Sequence, residues 1–457
     1  WKESMGKKQN VDRSQYLFDN HALFALILPL VIEQMLAVLV GMADSIMIAN
    51  VGESAVSGVS LVDSVMLLLI NAFSALATGG AVVTGQYLGQ RNTQKAQEAA
   101  QQLIWFLAFL AIGVMALMYL AKGFILHTVF GQITAEVRSY AEVYLLIVAA
   151  SIPFVALYNA GAAIFRVMGN SKVSMQVSIV MNIINVVGNA ILIYGFHRGS
   201  EGVAIPTLVS RMVAAIMILW LLGNKDLTVS VPRTIHYHFD KNLIKKILYI
   251  GIPNGLENSM FQLGKIMVLS LVATFGTYAI AANAVSNVVA SVQILPGMAM
   301  SLAITTVISR CIGANAYDQA QYYTKKLHMI SYLCMWVLIG ITVLALPLIL
   351  KVYNLSDITA SETRRILLFH GVSASLIWPV AFNLPSVFRA AGDVKFSMVT
   401  SIISMWICRI VFSYILGKYM GFGVFGVWMA MILDWIVRAI CFIIRYRSGK
   451  WKGKSLV

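Results

Sequence analysis

Five carboxylates lie well inside long apolar segments of the sequence: Glu33, Asp44, Asp63, Glu257 and Asp434. A charge at the centre of a bilayer costs about 2.5–3.5 kcal/mol even on the scale derived from membrane insertion. Each side chain must therefore face a partner or a water-filled cavity, which makes each a candidate for binding a cation or a substrate. The structural alternative for each is a buried ion pair.

The first apolar segment carries two of these carboxylates on one predicted helix face. Glu33 and Asp44 are 11 residues apart, which is close to three helical turns. A carboxylate in a dry setting is suited to bind and release a proton near neutral pH, and the same oxygens suit Na⁺ if neutral oxygens complete the shell. Asn185, Asn189 and Thr207 supply such oxygens, although their residue types alone favour ordinary bonding between helices.

The second half offers a different set of charges for coupling or substrate contact. Glu257 and Lys265 are eight residues apart, about 80° around a helix, and are predicted to line one cavity. A neutralising pair between them is the alternative. For Asp434 a buried pair is favoured, either with Arg409 or with Arg438, which follows four residues later on the same predicted helix.

The elements that must position these residues are membrane spans. The chain has 457 residues, 59% hydrophobic and only 12% charged, against roughly 25% charged in a soluble domain. A helix needs about 20 apolar residues to cross a bilayer, and twelve apolar blocks of that kind are present, at about 22–49, 54–80, 98–121, 140–164, 173–196, 202–223, 243–272, 278–308, 327–350, 366–388, 396–417 and 423–444. The composition excludes an ordinary soluble enzyme.

The distribution of Lys and Arg predicts the orientation. With twelve spans both termini lie on one side, and the segments on that side carry 23 Lys and Arg against seven in the five opposite loops. Cytoplasmic segments collect basic residues, so both termini are predicted to be cytoplasmic in the cell inner (plasma) membrane. The net charge of +15 follows mostly from this topology, and no nucleic-acid partner is expected. The polar N-terminal stretch indicates that the first span itself directs insertion.

The sequence contains a duplication. FRVMGNSKVSM at 165–175 returns as FRAAGDVKFSM at 388–398. LGQRNTQKAQ at 88–97 is echoed by IGANAYDQAQ at 312–321. Pro29 and Glu33 return as Pro253 and Glu257, the same number of residues later in the chain. Each repeated unit has six spans, an even number, so both units insert the same way up, as in transporters built from parallel repeats.

The duplication predicts an all-α membrane protein with twelve transmembrane helices in two six-helix lobes related by a pseudo-two-fold axis along the membrane normal. Residues 1–224 would form the N-terminal lobe, 225–242 a cytoplasmic linker and 243–457 the C-terminal lobe. We interpret the repeated motif as the cytoplasmic turn between the fourth and fifth spans of each lobe, with its cations as anchors.

Several chemistries have no motif in the sequence. It lacks a Walker A motif, HExxH, GxSxG and a Cys/His cluster with metal-ligand spacing. We therefore expect a protein that is not an enzyme and has no cofactor, driven by an ion gradient if transport is active. The 23 Met, nine Trp and 18 Tyr are compatible with a cavity for organic cations, although core packing and interfacial belts also use them.

The ordered motifs resemble the multidrug and toxic compound extrusion (MATE) family of cation-coupled antiporters. The resemblance rests on LPLVIEQMLAVLVGMADSIMIANVG in the first span, TGQYLGQRNTQKA and FRVMGNSKVSM in the loops, MNIINVVGNAILIYG in the fifth span and GVAIPTLVSR in the sixth. It implies two lobes around a central cavity that opens alternately to each side. It also implies a cation site of Asp44, Asn185, Asn189 and Thr207, with H⁺ or Na⁺ as the coupling ion.

The resemblance further implies export of small, amphipathic, often cationic compounds by a protein that we expect to be a monomer. The C-terminal lobe departs from the family pattern, since Phe261 and Gln262 stand where some members have an acid. Glu257, one turn before these positions, is the candidate for a second coupling site. The competing functions are a lipid-linked precursor flippase, which would require a more cationic cavity, and a receptor or scaffold that transports nothing.

Overall fold

The computed structural model describes residues 12–457, and it contains helices but no strand within that range. Most of the basic N-terminal stretch used in the charge count lies outside the described residues. After a single 3₁₀ turn at Arg13–Gln15, the first half contains α1 (Asn20–Ala49), α2 (Glu53–Gly89), α3 (Thr93–Leu120), α4 (Lys122–Phe124), α5 (Ala135–Ala149), α6 (Ile152–Val167), α7 (Ser171–Ala190) and α8 (Glu201–Leu222). Short π-helical segments follow α4, at Ile125–Val129, and α7, at Ile191–Gly195.

The second half repeats this order. It contains α9 (Lys241–Ala273), α10 (Thr277–Gly313), α11 (Tyr317–Leu344), α12 (Leu346–Val352), α13 (Asp357–Phe382), α14 (Leu384–Ala391), α15 (Val394–Ser404) and α16 (Val424–Arg447). Two π-helical segments, Met405–Val411 and Tyr414–Tyr419, continue α15.

Ten helical segments among the described residues are long and apolar enough to cross a membrane, and the bent pair α5–α6 makes eleven. α9 is not among these, although its 33 residues are ample for a span. Its polar side chains, which include Glu257 and Lys265, lower its mean hydropathy. When α9 is counted as the twelfth span, the helices form the predicted arrangement of two six-helix lobes.

Proline accounts for breaks that the apolar blocks did not reveal. The predicted fourth span, 140–164, is two helices that meet at 49°. Pro153 is the second residue of α6 and has no backbone N–H to continue the hydrogen bonding of α5. The tenth span is similarly interrupted at Asn383, two residues before Pro385.

The helix bounds confirm the duplication. α10 begins and ends as many residues after α2 as Pro253 lies after Pro29. The same is true of α11 relative to α3. The turns repeat as well: Gly52 has φ of 145° and Gly276 has φ of 109°. Only glycine adopts such a conformation at little cost, so each tight connection between the first two spans of a half depends on its glycine.

The first helix of each half packs one end against the other half. The start of α1 places Leu26 and Leu30 in a buried cluster with Ile304 and Val307 of α10. The start of α9 places Ile247 in the core of the first half. This mutual packing holds the two halves together near one end of the bundle.

We call the end of the bundle that carries Gly89, Gly169, Gly313 and Gly392 the basic end. A Cβ added at Gly89 would meet the backbone carbonyl oxygen of Arg310, and one added at Gly313 would meet that of Gln86. α2 and α10 therefore touch backbone to backbone there, and the bundle is closed at the basic end.

Both described chain ends lie at the basic end. The backbone N–H of Phe18 donates to the hydroxyl of Tyr323 at 2.9 Å, and that of Gly453 donates to the hydroxyl of Tyr317 at 2.9 Å. Their position on one side agrees with an even number of spans.

Candidate functional site

Three helices of the first half bring together the residues predicted to bind a cation. Asp44 lies on α1, Asn185 and Asn189 on α7, and Thr207 on α8. Asn189 donates from Nδ2 to Asp44 Oδ1 at 2.6 Å, and Asn185 donates from Nδ2 to Asp44 Oδ2 at 3.1 Å. Thr207 Oγ1 lies 3.4 Å from Asn185 Oδ1. We call these four residues the Asp44 cluster.

The Asp44 cluster is rich in oxygen atoms that could bind a cation. The two asparagines and Thr207 are buried, while Asp44 is partly exposed. Asn189 Oδ1 is buried and has no hydrogen-bond partner. A buried acceptor without a partner is costly, and a cation bound beside Asp44 would remove that cost. The carboxylate, two amide oxygens and a hydroxyl are hard oxygen ligands of the kind that Na⁺ prefers, and the carboxylate alone can take a proton.

Asp63, on α2, is held by a different partner. Tyr144 of α5 donates its hydroxyl to Asp63 Oδ1 at 2.6 Å. The nearby Arg211 donates from Nη1 to Ser151 Oγ at 2.8 Å. Sequence reasoning missed Tyr144, because a tyrosine in a membrane span is usually an interfacial anchor.

Glu33 shares a helix face with Asp44, as predicted, but lies in a separate set of contacts. Ser174 donates to Glu33 Oε2 at 2.9 Å, and Arg166 Nη2 lies 3.6 Å from Glu33 Oε1. Ser174 and Asn185 are both on α7, so α7 contacts both carboxylates of α1 at different depths. Glu33 therefore lies toward the basic end and away from the Asp44 cluster.

The second half repeats this ion pair at the counterpart positions. Arg389 Nη1 lies 3.6 Å from Glu257 Oε2, and the Ser397 hydroxyl is 3.5 Å from the same oxygen. The repeated motifs FRVMGNSKVSM and FRAAGDVKFSM thus supply an Arg and a Ser to the repeated glutamate of the first span in each half. Sequence reasoning took these arginines as loop anchors and missed the pairing, although both partners are duplicated together.

The prediction that Glu257 and Lys265 line one cavity is wrong. Glu257 is paired with Arg389, while Lys265 lines a cavity of about 180 Å³ together with Arg409 and no acidic residue. Eight residues separate Glu257 from Lys265 by about 12 Å along the helix axis, so the two reach different depths.

Asp434 forms the buried pair that its spacing favoured. Arg438 donates from Nε to Asp434 Oδ1 at 2.9 Å, and Ser404 donates its hydroxyl to the same oxygen. Asp434 has no exposed surface, and Arg438 is only 3% exposed. Among the two arginines considered, Arg438 and not Arg409 is the ion-pair partner, and Asp434 Oδ2 is buried without a hydrogen-bond partner.

The fold and the polar groups inside its spans define a membrane transporter. The MatE family model matches residues 29–191 and again 253–415, so the second match begins at the repeated proline and has the same length as the first. The chain belongs to the MatE family, whose members are transporters and not enzymes.

Known relatives match nearly the whole chain. "Uncharacterized transporter YisQ" of Bacillus subtilis is 29% identical over 445 residues, covering 95% of this chain and 96% of that protein. "Probable multidrug resistance protein NorM" of Thermotoga maritima is 25% identical over 453 residues, covering 95% and 94%. A solved outward-facing multidrug resistance MATE family transporter shares the fold with a TM-score of 0.87 at 21% identity, covering 93% of this chain and 95% of that one.

Proposed function

We propose that the protein is a multidrug efflux antiporter that exports amphipathic, often cationic compounds by alternating access, driven by H⁺ or Na⁺ entering at Asp44. The observation that carries the proposal is the Asp44 cluster, in which a carboxylate inside a span meets two amides and a buried oxygen without a partner. The names of the relatives support multidrug export as the function.

In the proposed mechanism, the coupling ion and the exported compound stabilise different conformations of the protein. With the charge distribution as a guide, the basic end is the cytoplasmic end, and the close contact of α2 with α10 there corresponds to a conformation closed toward the cytoplasm. An ion that binds the Asp44 cluster favours one conformation, and the exported compound favours another. Each ligand then weakens the other through its different affinity for the two states.

The first experiment measures efflux of ethidium from proteoliposomes under a pH gradient and a Na⁺ gradient, imposed separately. We expect one gradient to drive efflux by the wild type and thereby to identify the coupling ion. Asp44→Asn removes the carboxylate and should reduce gradient-driven efflux to the level of protein-free liposomes. Asn182→Ala is the control, because Asn182 is also on α7 but contacts Ser178 and not Asp44.

Two results would count against the proposal. If Asp44→Asn still couples efflux to the gradient as the wild type does, the ion does not enter at Asp44. If the wild type moves no ethidium under either gradient, export of organic cations fails as a function. A lipid-linked precursor would then be the next substrate to test.

A further inference from the structure

The chain that follows α16 crosses from the second half to the first at the basic end. We call residues 448–457 the C-terminal segment. Trp451 anchors this segment to the second half, because its ring has no exposed surface, lies in the buried cluster of α10 and α11, and stacks on Tyr446 with centroids 5.4 Å apart.

Two polar contacts fix the next residues of the C-terminal segment to the second half. The backbone N–H of Gly453 donates to the hydroxyl of Tyr317, the first residue of α11, at 2.9 Å. Lys454 Nζ lies 2.7 Å from Asp393 Oδ1 in the repeated turn, and Arg445 Nε lies 2.8 Å from the other oxygen of Asp393. These contacts direct the chain across the basic end toward α2.

The residues after Lys454 bind to the first half through one buried amide. Gln86 of α2 has no exposed surface, and its Oε1 accepts from the backbone N–H of Leu456 at 3.0 Å and from the Ser455 hydroxyl at 3.3 Å. Gln86 Nε2 donates to the backbone carbonyl of Ala390 on α14 at 2.9 Å. A single side chain of the first half is therefore bonded both to the C-terminal segment and to the second half.

The side chain of Leu456 adds an apolar contact at the same place. It packs against a small buried cluster of Val82 on α2, Ile250 on α9 and Val394 on α15. Val82 belongs to the first half and Val394 to the second. An apolar side chain that is removed from water stabilises the arrangement that buries it, so this contact favours the conformation in which the halves meet.

The contact lies beside the closest approach of the two halves. The backbone carbonyl of Gln86 is the group that a Cβ added at Gly313 of α10 would meet. Opening of the basic end requires α2 to move away from α10 and α14. Gln86 must then lose its bond to Ala390 or its bonds to the C-terminal segment.

The corresponding connection of the first half follows a different course. The linker 225–242 also begins on the repeated turn of its half, where the backbone N–H of Val229 donates to Met168 Sδ at 3.3 Å. It then follows α3, where Gln101 Nε2 donates to the backbone carbonyl of His236 at 3.3 Å. These contacts lie within the first half, whereas the C-terminal segment joins one half to the other.

We propose that the C-terminal segment is a strap that holds the basic end closed and thereby sets the fraction of molecules that open toward the cytoplasm. The inference rests on the alternating access of the proposed function and is independent of the coupling ion. Because the contacts of Ser455 and Leu456 with α2 exist only while the halves are together, weakening them should increase the open fraction.

The test measures how often the interface between α2 and α10 opens. Ser309 of α10 has no exposed surface, and a Cβ added at Gly85 of α2 would meet its hydroxyl. Ser309→Cys is introduced into a full chain whose four native cysteines are serine, and the rate of N-ethylmaleimide labelling is measured in nanodiscs. Leu456→Asp should increase this rate about tenfold, because the apolar burial of the leucine is lost.

A second variant and two controls separate the strap from general stability. Deletion of residues 455–457 removes the same contacts without placing a charge among apolar groups, and should also increase the labelling rate. Lys450→Ala changes an exposed side chain of the same segment and should leave the rate unchanged. Gly169→Ala should lower the unfolding temperature through its left-handed backbone without increasing the labelling rate, since a Cβ there meets no atom within 4 Å.

The outcomes distinguish the strap from the proposed function, because labelling requires neither a gradient nor ethidium. Labelling at the parental rate in both strap variants would overturn the inference and leave the role of Asp44 standing. An equal increase in Gly169→Ala would assign the effect to loss of stability and would also overturn it. Asp44 lies outside the strap contacts, so Leu456→Asp should still couple efflux to the gradient that drives the wild type.

Discussion

The two halves of this transporter place the same helices around opposite charges. In the first half, Asp44 accepts hydrogen bonds from two asparagines, and Asn189 adds a buried oxygen without a partner. In the second half, the counterpart of Asp44 is Val268, and Arg409 and Lys265 line the cavity instead. The duplicated scaffold sets where polar groups lie within the spans, and the residue types decide which charge each half presents there.

The basic ends of the halves, by contrast, have remained alike. Glu33 meets Arg166 at 3.6 Å, and Glu257 meets Arg389 at 3.6 Å. Each pair joins the first span of a half to the end of its fourth span, where Arg166 lies in α6 and Arg389 in α14. The distance between the charged groups is the same in both halves, although Tyr158 also donates to Glu33. The ion pair is thus retained in both halves, whereas the polar groups deeper in the spans differ.

The largest effect should come from the contact between α2 and α10. Gly89→Ala and Gly313→Ala each place a methyl group against a backbone carbonyl of the other half, which must push the basic ends apart. We expect both variants to lose export and to expose Cys311, which is buried beside this contact. The measurement is the rate of N-ethylmaleimide labelling of Cys311 in a chain whose other three cysteines are serine.

Gly113→Ala provides the control for this contact, because a Cβ there meets no atom within 4 Å. It should leave both export and labelling unchanged. If Gly89→Ala and Gly313→Ala behave like Gly113→Ala, the close approach at the basic end is not what keeps the two halves closed.

The next largest effect should come from the duplicated ion pairs. Removing one partner of a buried pair costs about 3–5 kcal/mol, because the other charge remains buried. Glu33→Gln and Glu257→Gln should therefore lower the unfolding temperature in detergent by similar amounts. Replacing the arginine in the same chain, as in Glu33→Gln with Arg166→Gln, should restore part of the loss. A large effect in one half only would show that one glutamate has a further role.

The smallest effect should distinguish the two repeated turns. Gly169 has φ of 85° and Gly392 has φ of 90°, so alanine at either position costs about 1–2 kcal/mol. A Cβ at Gly169 meets no atom within 4 Å, whereas one at Gly392 meets the backbone carbonyl of Lys454. Gly392→Ala should therefore lower the unfolding temperature more than Gly169→Ala. Equal shifts would mean that the C-terminal segment does not pack on this turn in solution.

The residue after each of these glycines explains why only one turn holds the C-terminal segment. Asn170 follows Gly169, whereas Asp393 follows Gly392 and accepts from Arg445 at 2.8 Å and from Lys454 at 2.7 Å. Burial alone would raise the pKa of Asp393, but these two cations hold it below its ordinary value. Since a depressed carboxyl pKa stabilises the structure only while the group is ionised, the stability that this contact contributes is lost as the pH falls through the folded-state pKa.

Much of the architecture could be predicted because it follows from local pattern. Apolar blocks marked the spans, and repeated landmarks gave a constant shift in numbering between the halves that the helix bounds and the family match confirm. The resemblance grouped Asn185 and Asn189 with Asp44, and the structure brings both amides to that carboxylate. That these residues couple transport to an ion remains a prediction.

The parts that could not be predicted depend on contacts distant in sequence or on small backbone changes. No local pattern joins Asp63 to Tyr144, because two separate helices supply them. In the second half the repeated motif lies one residue earlier than the shift from Pro29 to Pro253 would place it, whereas Gly426 again follows Gly202 by that shift. The second half therefore has one additional residue between the motif and Gly426. The π-helical segment Met405–Val411, which has no counterpart in the α-helical Ser171–Ala190, takes in the additional residue. That segment carries Arg409, so a local change in helix type accompanies the change in charge.

The most direct test measures whether binding of an organic cation releases an ion from Asp44. Ethidium would be added to the purified protein in weakly buffered solution, with released protons followed by a pH indicator and released Na⁺ by ²²Na⁺ in a scintillation proximity assay. We expect release of one of these ions by the wild type and by Lys265→Gln, and none by Asp44→Asn. Undiminished release by Asp44→Asn would contradict the account, because the ion would then be bound elsewhere.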